Sequence, residues 1–133
     1  GGALLGEKVL AYNSRVNIFI VDESKLVEVL GSRRPIPVEV LGQALRYVMD
    51  RISGMGYRVE ARTSGGKAGP VVSDWGGFII DVYTGGLTDP SLFERRVKSI
   101  PGVIETGVFI GLTDYLVIGR DGCRWEVLGV GRR

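Results

Sequence analysis

The sequence predicts an α/β fold in which a small βαββαβ domain is inserted into a larger α/β domain that is only partly present. Three observations carry this. Residues 36–110 alternate between strand-like and helix-like segments in βαββαβ order, the split βαβ arrangement of ferredoxin-like domains. Arg15–Val21, ahead of them, ends in the continuous apolar run Ile18-Phe19-Ile20-Val21, as a strand buried on both faces does. Two further strand-like segments, Tyr115–Gly119 and Cys123–Leu128, follow the alternating region and are joined through Asp121-Gly122. Residues 1–31 and 112–133 therefore belong to the outer domain and residues 35–110 to the inserted one. Two pieces this short are too small to make a stable doubly wound sheet by themselves.

Taken in order, residues 2–12 predict a helix with Leu5, Val9 and Tyr12 as its buried stripe, spaced i, i+4, i+7, and with Glu7 pointing away from it. Asp22-Glu23-Ser24-Lys25 marks the carboxyl end of the first strand. A helical turn over Leu26–Leu30 is expected to stop at Gly31. Residues 36–40 read as a strand, and residues 41–53 as a helix with Leu41, Ala44, Leu45, Val48, Met49 and Ile52 on one face, ended by Gly54 and Gly56. A strand at 57–62 precedes the loop Gly65–Pro70. Residues 70–73 and 78–83 form a hairpin around Asp74-Trp75-Gly76-Gly77. Asp89 is placed to cap a helix with Pro90 at its first position, and Pro101-Gly102 to stop it. Residues 103–110 close the inserted domain as a strand.

Composition narrows the chemistry. Seventeen basic and fifteen acidic residues are interspersed, so no basic stripe marks a nucleic-acid surface. No apolar run approaches the ~20 residues that span a bilayer, and the start has no basic signal-peptide region. A single cysteine, Cys123, excludes an internal disulfide and a multi-cysteine metal site, and it reads as a small core residue. Histidine is absent, which leaves acid–base work to carboxylates, Lys or Tyr. The chain starts at Gly1 rather than Met, within what reads as the end of a glycine loop, so an upstream segment is expected.

Two side chains stand out as site candidates. Glu7 is either a carboxylate aimed into a cleft or an exposed helix glutamate favoured by the helix dipole. Lys25 lies past the carboxyl end of a buried strand, where open α/β sheets bind ligands, or it is a solvated lysine. Gly65–Gly69 lacks the Gly-Lys-Ser/Thr ending and the following helix of a phosphate loop, and reads as a connection. Trp75 at the hairpin tip suggests an interface residue. Arg132-Arg133 reads as a frayed end.

An ordered set of segments adds to this. It comprises Gly-Gly-Ala-Leu-Leu-Gly-Glu-Lys (1–8), Val-Asp-Glu-Ser-Lys-Leu-Val (21–27), Leu-Gly (30–31) and Pro-Ile-Pro-Val-Glu-Val-Leu (35–41). Gly-Pro-Val-Val-Ser-Asp (69–74), Phe-Ile-Ile-Asp-Val (78–82), Ile-Pro-Gly-Val-Ile-Glu-Thr-Gly-Val-Phe (100–109) and Val-Ile-Gly-Arg-Asp-Gly (117–122) complete it. Together they resemble the C-terminal part of the type A ribose-5-phosphate isomerases over almost the whole chain. The resemblance implies a Rossmann-like domain with an inserted ferredoxin-like domain. It implies an aldose–ketose isomerase interconverting D-ribose 5-phosphate and D-ribulose 5-phosphate in the pentose phosphate pathway. Such an enzyme is expected in the cytoplasm, without metal or organic cofactor, as a homodimer or homotetramer, with no nucleic-acid or membrane partner. By the resemblance Glu7 is the catalytic base, Lys25 binds substrate and Gly1 is the last glycine of a substrate-contacting loop. The alternative is a non-catalytic sugar-phosphate-binding or self-association module of the same fold.

Some family features are missing. The loop lysine would fall just before Gly1, and the Asp-Gly-Ala-Asp segment and Gly-Thr-Gly-Ser-Thr-type phosphate loop are absent from these residues, so the 133-residue chain alone is expected to be inactive. Gly6 stands where arginine commonly precedes the glutamate, and Trp75 and Gly77 stand where asparagines are usual. The hairpin turn lies away from the mapped site residues in sequence, which directs its departures to the assembly surface rather than to chemistry.

Overall fold

The computed structural model describes residues 2–66 and 69–131. Gly1 and the terminal Arg132-Arg133, all assigned readings above, lie outside the described residues. The chain divides into two compact units. One is made of the residues up to Gly6 with Val29–Val108; the other of Glu7–Glu28 with Phe109 onward.

The first unit is built on a four-stranded antiparallel sheet. Its strands are β2 (Ile36–Val40), β3 (Arg58–Ala61), β4 (Phe78–Tyr83) and β5 (Val103–Thr106), in the spatial order β3-β4-β2-β5. Two helices, α2 (Leu45–Ser53) and α3 (Pro90–Lys98), cover one face. Alternation along β2 and β4 sends Ile36, Val38, Val40, Ile80 and Val82 to that face, where they meet Val48 and Ile52 of α2 and Phe93 and Val97 of α3. This is the βαββαβ layout that the sequence predicts. Tyr57 packs edge-on against Phe93 with ring centroids 5.6 Å apart. Asp89 caps α3 by accepting from the Leu92 amide at 2.9 Å, with Pro90 opening the helix. β5 is shorter than expected and ends at Thr106.

The expected helix over 41–53 is a 3-10 turn at Gly42–Ala44 followed by α2. Leu41 has extended backbone and is exposed rather than on the buried face, because its amide bonds the Gly102 carbonyl at 2.8 Å instead of entering the helix. The first hairpin arm is looser than a strand. Val71 bonds Arg62 and Ile79 through its backbone, and Ser73 bonds Gly77.

The second sheet face is covered by neither α2 nor α3. Residues 2–6 lie over it: a Cβ added to Gly2 would stand 3.7 Å from the Arg62 guanidinium and 3.8 Å from Ile79. Arg62 pairs with Asp81 through two hydrogen bonds, one of them 2.9 Å long. That pairing holds the guanidinium pKa above its ordinary value, first through the hydrogen bond and then through the neighbouring charge.

The second unit has a three-stranded sheet of β1 (Ile18–Asp22), β6 (Tyr115–Arg120) and β7 (Arg124–Gly129), in the order β1-β6-β7. β1 and β6 run parallel, from Ile18 opposite Tyr115 to Asp22 opposite Gly119, and β6 and β7 form a hairpin. The helix α1 spans Leu4–Asn13 and enters this unit at Glu7.

Four expectations fail here. The stripe of α1 is Leu4, Lys8 and Ala11, one residue earlier than Leu5, Val9 and Tyr12, and Val9 and Tyr12 are exposed. Lys8 can serve as a buried position because its ammonium sits 5.4 Å above the centre of the Phe109 ring. β1 is not buried on both faces. Phe19 and Val21 are half-buried, whereas Ile18 and Ile20 are 59% and 78% exposed. Register puts Ile18 and Ile20 on one face with Tyr115, Val117, Val127 and Trp125, and none of these is buried within the described residues. The turn foreseen at Leu26–Leu30 is instead a 3-10 turn at Glu23–Lys25. Asp22 caps it by accepting from the Ser24 amide at 3.0 Å, and Leu26 is already extended. Cys123 is exposed, with a left-handed φ of 59° in the turn between β6 and β7, and is no core residue.

Candidate active site

Glu7 and Lys25 both belong to the second unit. Glu7 is the fourth residue of α1 and its side chain is exposed, close enough to the helix start for the unpaired amides there to favour its negative charge. Glu7 stands near the start of α1, and the 3-10 turn that carries Lys25 follows the carboxyl end of β1. Lys25 closes the 3-10 turn at that end of β1 and is also exposed.

The two elements are held by polar contacts that sequence reasoning did not find. Asn17 is buried, and its side-chain amide donates to the carbonyls of Ala11 in α1 and Leu112 before β6, at 2.8 and 2.7 Å. Its backbone amide donates to Asp114 at 2.8 Å, and its carbonyl accepts from the amides of Asp114 and Tyr115. One asparagine thereby joins the end of α1, the start of β1 and the start of β6. The available signal is a polar residue directly before each of two parallel strands, but the pairing spans 97 positions.

Around Lys25, Asp22 accepts from the Ser24 hydroxyl and amide. The Asp22 carboxyl therefore titrates below its ordinary value, mainly because of the Ser24 hydroxyl, with a smaller contribution from Lys25. Arg120 of β6 donates to Glu23 in the turn at 3.2 Å and to Glu126 of β7 at 2.9 Å. Its pKa is raised, first by Glu126. The turn that presents Lys25 is thus tied to the sheet by a charged pair.

An exposed carboxylate near a helix start and an exposed ammonium beyond a strand end suit a small anionic substrate from which a proton must be moved. Among the described residues no group of three or more Cys, Asp and Glu is placed to hold a metal ion. No helix among them is long and apolar enough to cross a membrane.

The family model of ribose 5-phosphate isomerase A (phosphoriboisomerase A) matches residues 1–122. The ribose-5-phosphate isomerase A of Aeropyrum pernix is 51% identical over 129 residues, covering 97% of this chain and 54% of the relative. That of Methanothermobacter thermautotrophicus is 45% identical over 119 residues, covering 90% of this chain and 52% of the relative. The solved structure of ribose 5-phosphate isomerase A from Methanocaldococcus jannaschii superposes with a TM-score of 0.90 at 38% identity, over 98% of this chain and 56% of that one. A D-ribose-5-phosphate isomerase in complex with phospho-erythronic acid superposes with a TM-score of 0.89 at 35% identity, over 96% of this chain and 55% of that one. The chain thus spans about half the length of the relatives it matches.

Proposed function

Because the chain belongs to the ribose 5-phosphate isomerase A family, we propose that the whole protein interconverts D-ribose 5-phosphate and D-ribulose 5-phosphate, with Glu7 as the base and Lys25 as a substrate-binding cation. The observation that carries this reading is the exposed Glu7 in the first turns of α1, inside a family match that runs over residues 1–122.

In this reading the Glu7 carboxylate takes the C2 proton of the open-chain aldose. The C2–H electrons form the C1–C2 double bond, and the carbonyl oxygen O1 takes up a proton, giving a 1,2-enediol. The protonated Glu7 then returns its proton to C1 while the C2 hydroxyl loses its own, leaving the ketone at C2. One carboxyl serves both steps because it acts first as base and then as acid. Lys25 contributes positive charge toward the phosphorylated substrate. Fixed donors for the enediolate and the phosphate are assigned to chain that the relatives carry and that lies outside these 133 residues. The reading extends to a cytoplasmic homodimer or homotetramer.

The test is isomerisation of ribose 5-phosphate by the whole protein, followed by NMR together with exchange of the C2 proton in deuterated water. Glu7→Gln is expected to lower kcat by about 10²–10⁴, the usual worth of a general base. Near-parental turnover in that variant removes Glu7 from the role. Binding of the sugar phosphate without turnover by the parent favours the non-catalytic module.

A further inference from the structure

We propose that Trp75 is a positioning residue for Glu7: a hairpin turn anchored on the buried Glu39 lays the indole against Gly6 and fixes the part of α1 from which Glu7 projects. The proposal rests on the reading of Glu7 as the base.

The anchor starts in β2. Glu39 is fully buried on the side of the sheet away from α2 and α3, and its Oε1 accepts from the Ser73 hydroxyl. The same hydroxyl oxygen accepts from the amides of Trp75 at 3.2 Å and Gly77 at 3.1 Å. One donor and two acceptor sites exhaust what a hydroxyl offers, so the turn is closed around Ser73. The Ser73 amide also donates to the Gly77 carbonyl at 2.7 Å, and the Gly76 amide to the Ser73 carbonyl at 3.0 Å. Gly77 lies directly over the carboxyl: a Cβ there would come within 2.5 Å of Glu39 Oε1 and 2.6 Å of its Cγ. Glu39 Oε2 has no hydrogen-bond partner among the described residues, which leaves Ser73 as the group that fixes this carboxyl.

The turn delivers one large side chain. Trp75 is 67% exposed, so it is not a core residue held from all sides. A Cβ on Gly6 would stand 3.4 Å from the indole Nε1 and 4.0 Å from Cζ2, so the ring rests on bare helix backbone. Glycine inside a helix leaves the backbone freer than any other residue does. Gly6 is the residue before Glu7. The segment 2–6 is otherwise held to this unit at the buried Leu4 and at Gly2. The indole therefore supplies the restraint that Gly6 itself lacks, one residue from the carboxylate. Displacements of about 1 Å at a catalytic group cost on the order of a hundredfold in rate, so a restraint here falls mainly on kcat.

The test uses the whole protein with Trp75→Ala, Trp75→Phe and Ser73→Ala. Trp75→Ala should lower kcat about tenfold with KM within twofold, and should speed hydrogen exchange of the amides of residues 7–10, the first that are bonded within α1, while leaving those of β2 and β4 protected. Trp75→Phe, which keeps a flat ring, should recover most of the turnover. Ser73→Ala, which frees the turn but keeps the indole, should reproduce the Trp75→Ala exchange pattern. Parental kcat in Trp75→Ala overturns the proposal. So does a loss spread equally over kcat, KM and amide protection throughout the unit, which marks a merely structural residue. If the parent does not isomerise the sugar phosphate, the reading of the site has failed, whereas unchanged exchange at residues 7–10 refutes the contact itself.

Discussion

Gly102 offers a substitution whose cost can be separated into parts. It has φ +95°, and a Cβ there would stand 2.3 Å from the Ala44 Cβ and 3.4 Å from Val48 Cγ2. Gly56 has nearly the same backbone, φ +94°, with nothing within 4 Å of its added Cβ. Holding an L residue in the left-handed region costs roughly 1–2 kcal/mol, and both sites bear that. Gly102→Ala adds overpacking against the 3-10 turn and α2, about 1–3 kcal/mol. The expected losses are therefore about 1–2 kcal/mol for Gly56→Ala and about 2–5 kcal/mol for Gly102→Ala, a large fraction of a stability that for most domains is about 5–15 kcal/mol. Urea unfolding followed by circular dichroism measures both. A third variant isolates the clash: Gly102→Ala should be partly rescued by Ala44→Gly, which removes the Cβ it meets, giving a favourable coupling of about 1 kcal/mol or more between residues in contact. Equal destabilisation by the two glycine substitutions, within about 0.5 kcal/mol, or strict additivity with Ala44→Gly, would refute the close approach of residue 102 to the turn.

Further expectations follow from other contacts. Lys25→Ala in the whole protein should raise KM about 10–100-fold, the worth of a charge-assisted hydrogen bond, with a smaller effect on kcat; an unchanged KM removes Lys25 from substrate binding. Asp89→Ala should cost about 1 kcal/mol in urea unfolding through loss of the α3 cap, and Asp89→Asn much less. The Asp22 carboxyl is depressed in the folded chain, so its stabilising effect is complete above the unfolded value near 3.8 and is lost as pH falls through the lower folded value. Carboxyl NMR should place its midpoint below 3.8, and Ser24→Ala should move it up; no movement contradicts the cap. A chelator should leave turnover of the whole protein unchanged, and restoration of lost activity by an added divalent ion would reverse that view.

The inserted unit was largely legible because its signals are local. Asp89-Pro90 announces its own helix, and Val48 and Ile52 meet strands that are contiguous with them in the chain. The flanking unit was less legible because its packing depends on residues far away in sequence. No periodicity rule counts Lys8 as buried, since that requires the ring of Phe109. A run such as Ile18–Val21 carries no mark of which face will be covered, so two-sided burial was expected where only Phe19 and Val21 are shielded. Glu7 and Lys25 were singled out by position, in the first helix and past the end of a strand, but their roles came from the resemblance, and exposure alone would not have chosen them over other surface charges. Trp75 was set apart from the site because 68 positions separate it from Glu7. Its indole nonetheless rests on Gly6. Distance along the chain was a poor guide because the turn is carried there by Glu39, whose role as an anchor no motif advertises.

The parallel pairing of β1 with β6 also sets an order of assembly. The Asn17 amide finds Asp114 across 97 positions. Closing a loop of that length from an open chain costs roughly 4 kcal/mol in entropy, apart from a constant. The four-stranded unit lies within Val29–Val108 apart from residues 2–6, and it can start from the nearer β3–β4 pairing, with Arg58 opposite Tyr83. Once it has collapsed, most of the long loop is no longer free chain, and β1 and β6 have much less to search. Pulse-labelled amides of β2 and β4 should then become protected before those of β1 and β6, and the parallel pair should be the first to open under mild denaturant.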